Sequence, residues 1–273
     1  MLFKLYKHGF FIINRVNIKL LFNVENNLNS MCKMKNLTKI AMLLFFFPAI
    51  ALASISITGT RVIYNESDSS VTVKINNRDN TSSMVQAWID NKINNNAPNT
   101  ATSPFILYPA VFKIESGGEQ HLRIKKIESV TNTHQESIFW LNVKDIPAAP
   151  KKGTDNYLQF SIVNKIKIFY RPAALKSQVD NMHKDLVWKF TRDGRGNVLA
   201  KVSNNSRYYA SLTELNVNTN GKQIKTEVDM VAPGQSEEWV LKGVALSDVN
   251  NGKTEYGMVN DFGAVTYRPV IIN

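Results

Sequence analysis

At 273 residues the chain is long enough for two domains of about 100 to 120 residues once a targeting segment is removed. Its formal charge of +11 falls to +5 without residues 1–53, because that stretch holds seven of the Lys and Arg and one Glu; with no basic helix or aromatic stacking motif, such a balance argues against a nucleic-acid partner. The single cysteine, Cys32, lies in the same stretch, which excludes disulfides, a thiolate nucleophile and a Cys-ligated metal from residues 54–273.

In chain order, the first feature is Ala41–Ala53 (AMLLFFFPAIALA), a short apolar run preceded by Lys33, Lys35 and Lys39 and closed by Ala51-Leu52-Ala53. This is the layout of a secretory signal peptide, so residues 1–53 are expected to be a targeting segment cleaved after Ala53. Met31 and Met34 offer translation starts with an ordinary basic region, and residues 1–30 read as an over-extended frame. Arg15 and Lys19 interrupt the earlier apolar run Phe10–Phe22, which argues against a membrane anchor.

From Ser54 onward, short β-branched and aromatic runs alternate with Asn, Asp, Gly and Ser clusters, and no helical period of useful length appears. The chain is therefore predicted to be all-β. Strands are expected at Ile55–Tyr64, Ser70–Asn76, Met84–Asp90, Phe105–Ile114, His121–Ile127, Ser137–Val143 and Leu158–Tyr170, the count of one immunoglobulin-like sandwich. Tyr108-Pro109 falls inside a strand-like run and marks an edge, a bulge or a cis bond. The Asn-rich patch Asn91–Asn99 reads as a loop.

Ala173–Lys184 reads as a polar connector, and a second series of strands comes after it at Leu186–Arg192, Val198–Ser203, Tyr208–Asn216, Gln223–Met230, Glu237–Leu241, Thr254–Val259 and Val265–Ile272. The expected division is one domain over residues 54–172 and another over 173–273.

The most informative segment is Leu158–Pro172. Its residues Leu158, Phe160, Ile162 and Ile166, broken only by Asn164, share one face of a strand, opposite Gln159, Ser161, Val163, Lys165 and Lys167. Pattern alone is equally that of an ordinary half-buried strand whose apolar face lies on its own core.

The octapeptide Lys165-Ile-Lys-Ile-Phe-Tyr-Arg-Pro172, followed by Ala173-Ala174, resembles the signature that ends the first domain of the PapD-like pilus chaperones. Further stretches resemble that family in order: Gly59-Thr-Arg-Val-Ile-Tyr64, Gln86-Ala-Trp-Ile-Asp90, Glu136-Ser-Ile-Phe-Trp-Leu-Asn142, Asn204-Asn-Ser-Arg-Tyr-Tyr209 and Val259-Asn-Asp-Phe-Gly263. The resemblance spans essentially all of residues 54–273.

It implies two immunoglobulin-like β-sandwich domains in a boomerang arrangement, and a periplasmic chaperone that binds, stabilises and delivers pilus subunits by donor-strand complementation. Arg61 and Lys167 match the positions that bind the subunit's C-terminal carboxylate. Leu158, Phe160 and Ile162, with Ile166 at the less consistent end, match the donated row. Glu136, Arg171 and Asp261 match an ion network that fixes the two domains. The partners implied are pilus subunits and an outer-membrane usher, with no nucleotide, other cofactor or metal. An unloaded strand of this kind is also open to self-association through its exposed edge. The short connector Ala148–Tyr157 and the lack of a cysteine pair resemble the short-loop branch.

Two other classes fit less well. His121, His134 and His183 are scattered, and no Gly-x-Ser-x-Gly, phosphate-binding Gly-rich loop or His-Glu-x-x-His is present, so an enzyme is not expected. An exported β-sandwich adhesin or structural pilus component shares the composition, but is expected to carry one incomplete domain behind a donor extension.

Overall fold

The computed structural model describes residues 55–93, 98, 102–146, 160–175, 179–219, 221–250 and 254–272. Among them are nine strands before the connector: β1 (Ile55–Ile57), β2 (Arg61–Asn65), β3 (Val71–Asn77), β4 (Ser83–Asp90), β5 (Phe105–Tyr108), β6 (Val111–Ile114), β7 (Glu119–Lys126), β8 (Ser137–Ile146) and β9 (Val163–Arg171). They build a four-stranded sheet, β1-β3-β7-β5, and a five-stranded sheet, β2-β9-β8-β4-β6. The two sheets enclose one core in which Ile75, Val85, Leu122, Ile124, Leu141 and Ile168 are wholly buried.

Two expected strands are each divided between the sheets. The run Ile55–Tyr64 becomes β1, paired with β3, and β2, paired with β9. Gly59 lies between them with φ +90°, a conformation that L side chains rarely adopt, and there the chain leaves one sheet for the other. The run Phe105–Ile114 likewise becomes β5, paired with β7, and β6, paired with β4. The Tyr108–Pro109 bond between them is cis, and Pro109 has no N–H to offer a ladder. Period-two patterning records that residues are extended; it does not record which neighbour they pair with.

β2 and β9 pair in parallel, and their inward residues close one end of the core. Tyr64 and Phe105 meet edge to face at 5.0 Å, Phe105 and Phe139 at 5.1 Å, and the Tyr64 hydroxyl accepts a bond from the Lys126 N–H at 3.1 Å.

The second sandwich comprises β10 (Leu186–Arg192), β11 (Val198–Asn204), β12 (Leu212–Thr219), β13 (Lys222–Glu227), β14 (Ser236–Leu241), β15 (Thr254–Val259) and β16 (Val265–Pro269), with a one-turn helix, α1, at Leu246–Asn250. Its sheets run β10-β11-β14 and β13-β12-β15-β16. The connector is less polar in place than in sequence: its 3₁₀ turns, Ala173–Leu175 and Val179–Asp185, bury Leu175 and Met182 in the second core. The expected strand Tyr208–Asn216 begins later, at Leu212, because buried Asn204 claims the preceding loop. Its side-chain amide donates to the carbonyls of Tyr208 at 2.7 Å and Val231 at 3.0 Å. The last strand ends at Pro269, after which Ile272 forms a parallel bridge with Trp188.

Candidate binding cleft between the sandwiches

In the β2–β9 ladder Arg61 stands opposite Lys167, Ile63 opposite Phe169 and Asn65 opposite Arg171. Val62, Tyr64, Ile168 and Tyr170 point into the core, so alternation turns Arg61, Lys167, Phe169 and Arg171 to the other face of the sheet. At one end of that face lies the second sandwich, and between the two is a cleft of about 180 Å³ whose lining includes Arg61, Phe169, Arg171, Tyr209, Ser211 and Phe262.

Arg61 reaches across the cleft. Its Nη1 donates to Ser211 Oγ at 3.2 Å and to the Val259 carbonyl at 3.3 Å, and its guanidinium lies 5.5 Å from the centre of the Phe169 ring. Among the described residues its buried Nε has no acceptor. Lys167 places its ammonium 5.8 Å from the centre of the Trp140 ring, its neighbour on β8, and among the described residues makes no hydrogen bond or ion pair. Burial, followed by the Arg61 charge, lowers the Lys167 pKa; burial also lowers that of Arg61, with Asp261 and Glu136 opposing. Two half-buried cations thus stand side by side, and among the described residues no carboxylate is bonded to either.

Beyond this pair, among the described residues, one edge of β9 is open. β2 begins at Arg61, because the chain before it has turned at Gly59 into the other sheet, so residues 163–166 have β8 on one side and, among the described residues, no ladder strand on the other. Asn164 interrupts the apolar row and bonds the Ile55 carbonyl at 3.1 Å.

Nearer the connector, Arg171 Nε donates to Glu136 at 2.7 Å, while its two terminal nitrogens bind both oxygens of Asp261 at 2.6 and 2.7 Å. Glu136 is only 3% exposed and also accepts from the Tyr209 N–H at 2.8 Å. Burial opposes the Arg171 charge, but the bonds to Asp261 and the field of Glu136 outweigh it and push the pKa up. Burial raises the Glu136 carboxyl, against the pull of Arg171. These three residues therefore tie the first sandwich to the β15–β16 turn of the second.

The row expected from sequence to be donated is distributed differently. Leu158 lies outside the described residues. Phe160 and Ile162 are 69% and 58% exposed, but among the described residues the strand starts only at Val163. They are held alongside β8 nonetheless: Ser161 Oγ donates to the Asp145 carbonyl at 2.6 Å, and the Asp145 N–H to the Ile162 carbonyl at 2.9 Å. Ile166, also expected in that row, packs, partly buried, against the domain's own core. It shares a face with Ile168 and Tyr170, and the core reaches that far along the strand. Trp140, Phe169, Tyr209 and Ser211 are site residues that the sequence did not single out. Trp140, Phe169 and Tyr209 fall within the family-like stretches, but their role depends on the register of β8 against β9 and on the approach of the second sandwich.

Residues 54–176 match the family model for the N-terminal domain of PapD, the pili and flagellar-assembly chaperone, and residues 181–268 match that for the C-terminal domain of the pili assembly chaperone PapD. The chain belongs to the PapD pilus-chaperone family. The probable fimbrial chaperone YadV of Escherichia coli K12 is 32% identical over 221 residues, covering 80% of this chain and 89% of YadV. The chaperone protein FimB/FhaD of Bordetella pertussis is 36% identical over 236 residues, covering 83% and 91%. Among solved structures, the CupB2 chaperone of Pseudomonas aeruginosa superposes with a TM-score of 0.62 at 28% identity, over 79% of this PapD-family chain and 99% of its own. A chain of the Salmonella enterica complex between the SafA pilin and the SafB chaperone superposes with a TM-score of 0.64 at 26% identity, over 81% and 97%.

Proposed function

We propose that this PapD-family chain is a periplasmic chaperone that captures pilus subunits, holds them by donor-strand complementation and delivers them to an outer-membrane usher without nucleotide or catalysis. In this reading residues 1–53 are a signal peptide cleaved after Ala53, and domains over residues 54–172 and 173–273 form the mature protein. The observation that carries it is the pair Arg61 and Lys167, adjacent and half-buried at the point where the β2 ladder stops and the β9 edge opens. A carboxylate is the natural occupant, because charge-assisted bonds from a guanidinium fork and an ammonium offset its desolvation.

The direction of the guest comes from the register. A segment with its C-terminal carboxylate at Arg61 and Lys167, lying along residues 166 to 160, takes up the line of β2 and runs parallel to β9. The chaperone strand then adds to the incomplete sandwich of the subunit, a mode of recognition in which ladder bonds supply affinity and alternate side chains supply fit. Phe160 and Ile162, exposed in the free chain, fill its groove together with Leu158. Each such side chain contributes about 1.5 to 3 kcal/mol when fully buried, before ordering costs. Release occurs when the extension of another subunit replaces the donated strand. Glu136, Arg171 and Asp261 fix the orientation of the two domains around the cleft, and the exposed edge allows the unloaded chaperone to self-associate. An adhesin is not favoured, as the relatives YadV and FimB/FhaD are chaperones.

The test is periplasmic co-expression with the pilins of the same organism, comparing wild type with Lys167→Met and Arg61→Ala. Capture is expected to be lost in both variants, with the circular dichroism of the free chaperone unchanged. Lys167→Met is the cleaner probe, since its ammonium makes no hydrogen bond or ion pair among the described residues. A Lys167→Met chaperone that still co-purifies with its pilin refutes the cleft assignment.

A further inference from the structure

Phe262 is 96% exposed, yet it stands in a turn closed by hydrogen bonds. It sits at the tip of the β15–β16 turn, where Asn260 Oδ1 accepts from the N–H groups of Phe262 and Ala264, both at 3.0 Å, and the Asn260 carbonyl accepts from the Gly263 N–H at 3.0 Å. The residue before it, Asp261, is bound bidentately by Arg171 of the first sandwich. The residue after it, Gly263, lies so close to Thr60 that a Cβ built there would meet Thr60 Oγ1 at 2.5 Å. Thr60 directly precedes Arg61. Phe262 is therefore held on both flanks against the first domain, at the lip of the cleft that Arg61 lines.

A single exposed apolar residue ordinarily calls for no explanation. Here the turn is closed by its own hydrogen bonds, both of its flanks meet the other domain, and the residue lines the same cleft as Arg61. We propose that Phe262 is a subunit-contact residue that packs on the last side chains before the anchored carboxylate and favours subunits ending in apolar or aromatic residues. The proposal rests on the cleft reading and adds that the second domain reads the end of the guest. The backbone of Phe262 is already hydrogen-bonded within the turn, so binding does not incur the cost of ordering its loop.

The experiment uses the full mature chain and fluorescent peptides matching the last dozen residues of the captured pilin, as the native sequence and with the final two side chains changed to glycine. Phe262→Ala is expected to bind the native peptide roughly tenfold more weakly than wild type, Phe262→Tyr to restore binding, and Phe262→Ala to match wild type on the glycine-ended peptide, with no change in melting temperature. Equal binding of the native peptide by Phe262→Ala and wild type, while Lys167→Met fails to bind, overturns the proposal and leaves the cleft reading standing. An equal loss on both peptides also overturns it, because the effect then does not pass through the terminal side chains. If Lys167→Met binds as wild type does, the cleft reading fails and takes this proposal with it.

Discussion

Replacing Arg171 by Met keeps the aliphatic stem and removes the charge that joins Glu136 to Asp261. Glu136, only 3% exposed, is then left, among the described residues, with the Tyr209 N–H as its remaining bond. Breaking a buried pair by removing one partner costs about 3 to 5 kcal/mol, because the other charge stays buried and uncompensated. Asp261→Asn is much milder, about 1 kcal/mol, since the Asp261 side chain is 31% exposed and Arg171 keeps Glu136. Adding Glu136→Gln to Arg171→Met removes the stranded charge while keeping an acceptor for Tyr209, so the double variant is expected to be more stable than Arg171→Met alone. Urea unfolding followed by tryptophan fluorescence measures this, with Trp88 and Trp140 reporting on the first sandwich and Trp188 and Trp239 on the second. The pH dependence has a fixed sign. Burial raises the Glu136 carboxyl, and in Arg171→Met the guanidinium bonded to it no longer opposes that rise. A folded pKa above the unfolded one means stability that is present below the unfolded value and lost as pH rises through the folded one, so the deficit shrinks toward acid. An Arg171→Met chaperone no less stable than Asp261→Asn, or a deficit that grows as pH falls, refutes the argument.

Lys167→Met is expected to melt no lower than wild type, because the half-buried ammonium beside Arg61 opposes folding in its protonated form; a differential scan tests this. For the same reason subunit capture by wild type should weaken with rising pH before the ordinary lysine value of 10.5 is reached, with proton uptake on binding visible by titration calorimetry in buffers of different ionisation enthalpy. Gly263→Ala is expected to cost about 1 to 3 kcal/mol, since φ at Gly263 is +85° and the new Cβ meets Thr60 Oγ1 at 2.5 Å; adding Thr60→Ala should recover part of the loss of urea midpoint, the φ strain remaining.

Strand identity was largely legible locally. Leu186–Arg192 and Thr254–Val259 coincide with β10 and β15, and Val71–Asn77 and Ser83–Asp90 lie within one residue of their expected limits. Turn residues and a period of two suffice for that, because both are properties of consecutive residues. Asn204 shows where locality stops: its neighbours look strand-like, but three-dimensional contacts of its amide with Tyr208 and Val231 hold them as a loop.

The residues of the candidate cleft were recognisable one at a time, through motifs, whereas their relations were not. Arg61 and Lys167 are 106 residues apart in the chain and become neighbours only through the parallel β2–β9 register. The antiparallel β8–β9 register sets Lys167 beside Trp140, and Ile166 packs, partly buried, against the core while Phe160 and Ile162 stay exposed, although all three apolar residues share one parity. By itself the sequence determined which residues are extended, which are apolar and which carry charge. Tertiary structure alone decided where the chain crosses between sheets, at Gly59 and Pro109, how far the core reaches along β9, and that the second domain brings Asp261 and Phe262 to the first. The physical reason is that backbone alternation is set by adjacent residues, whereas a ladder partner, a buried cation and an exposed ring are set by what arrives from distant parts of the chain.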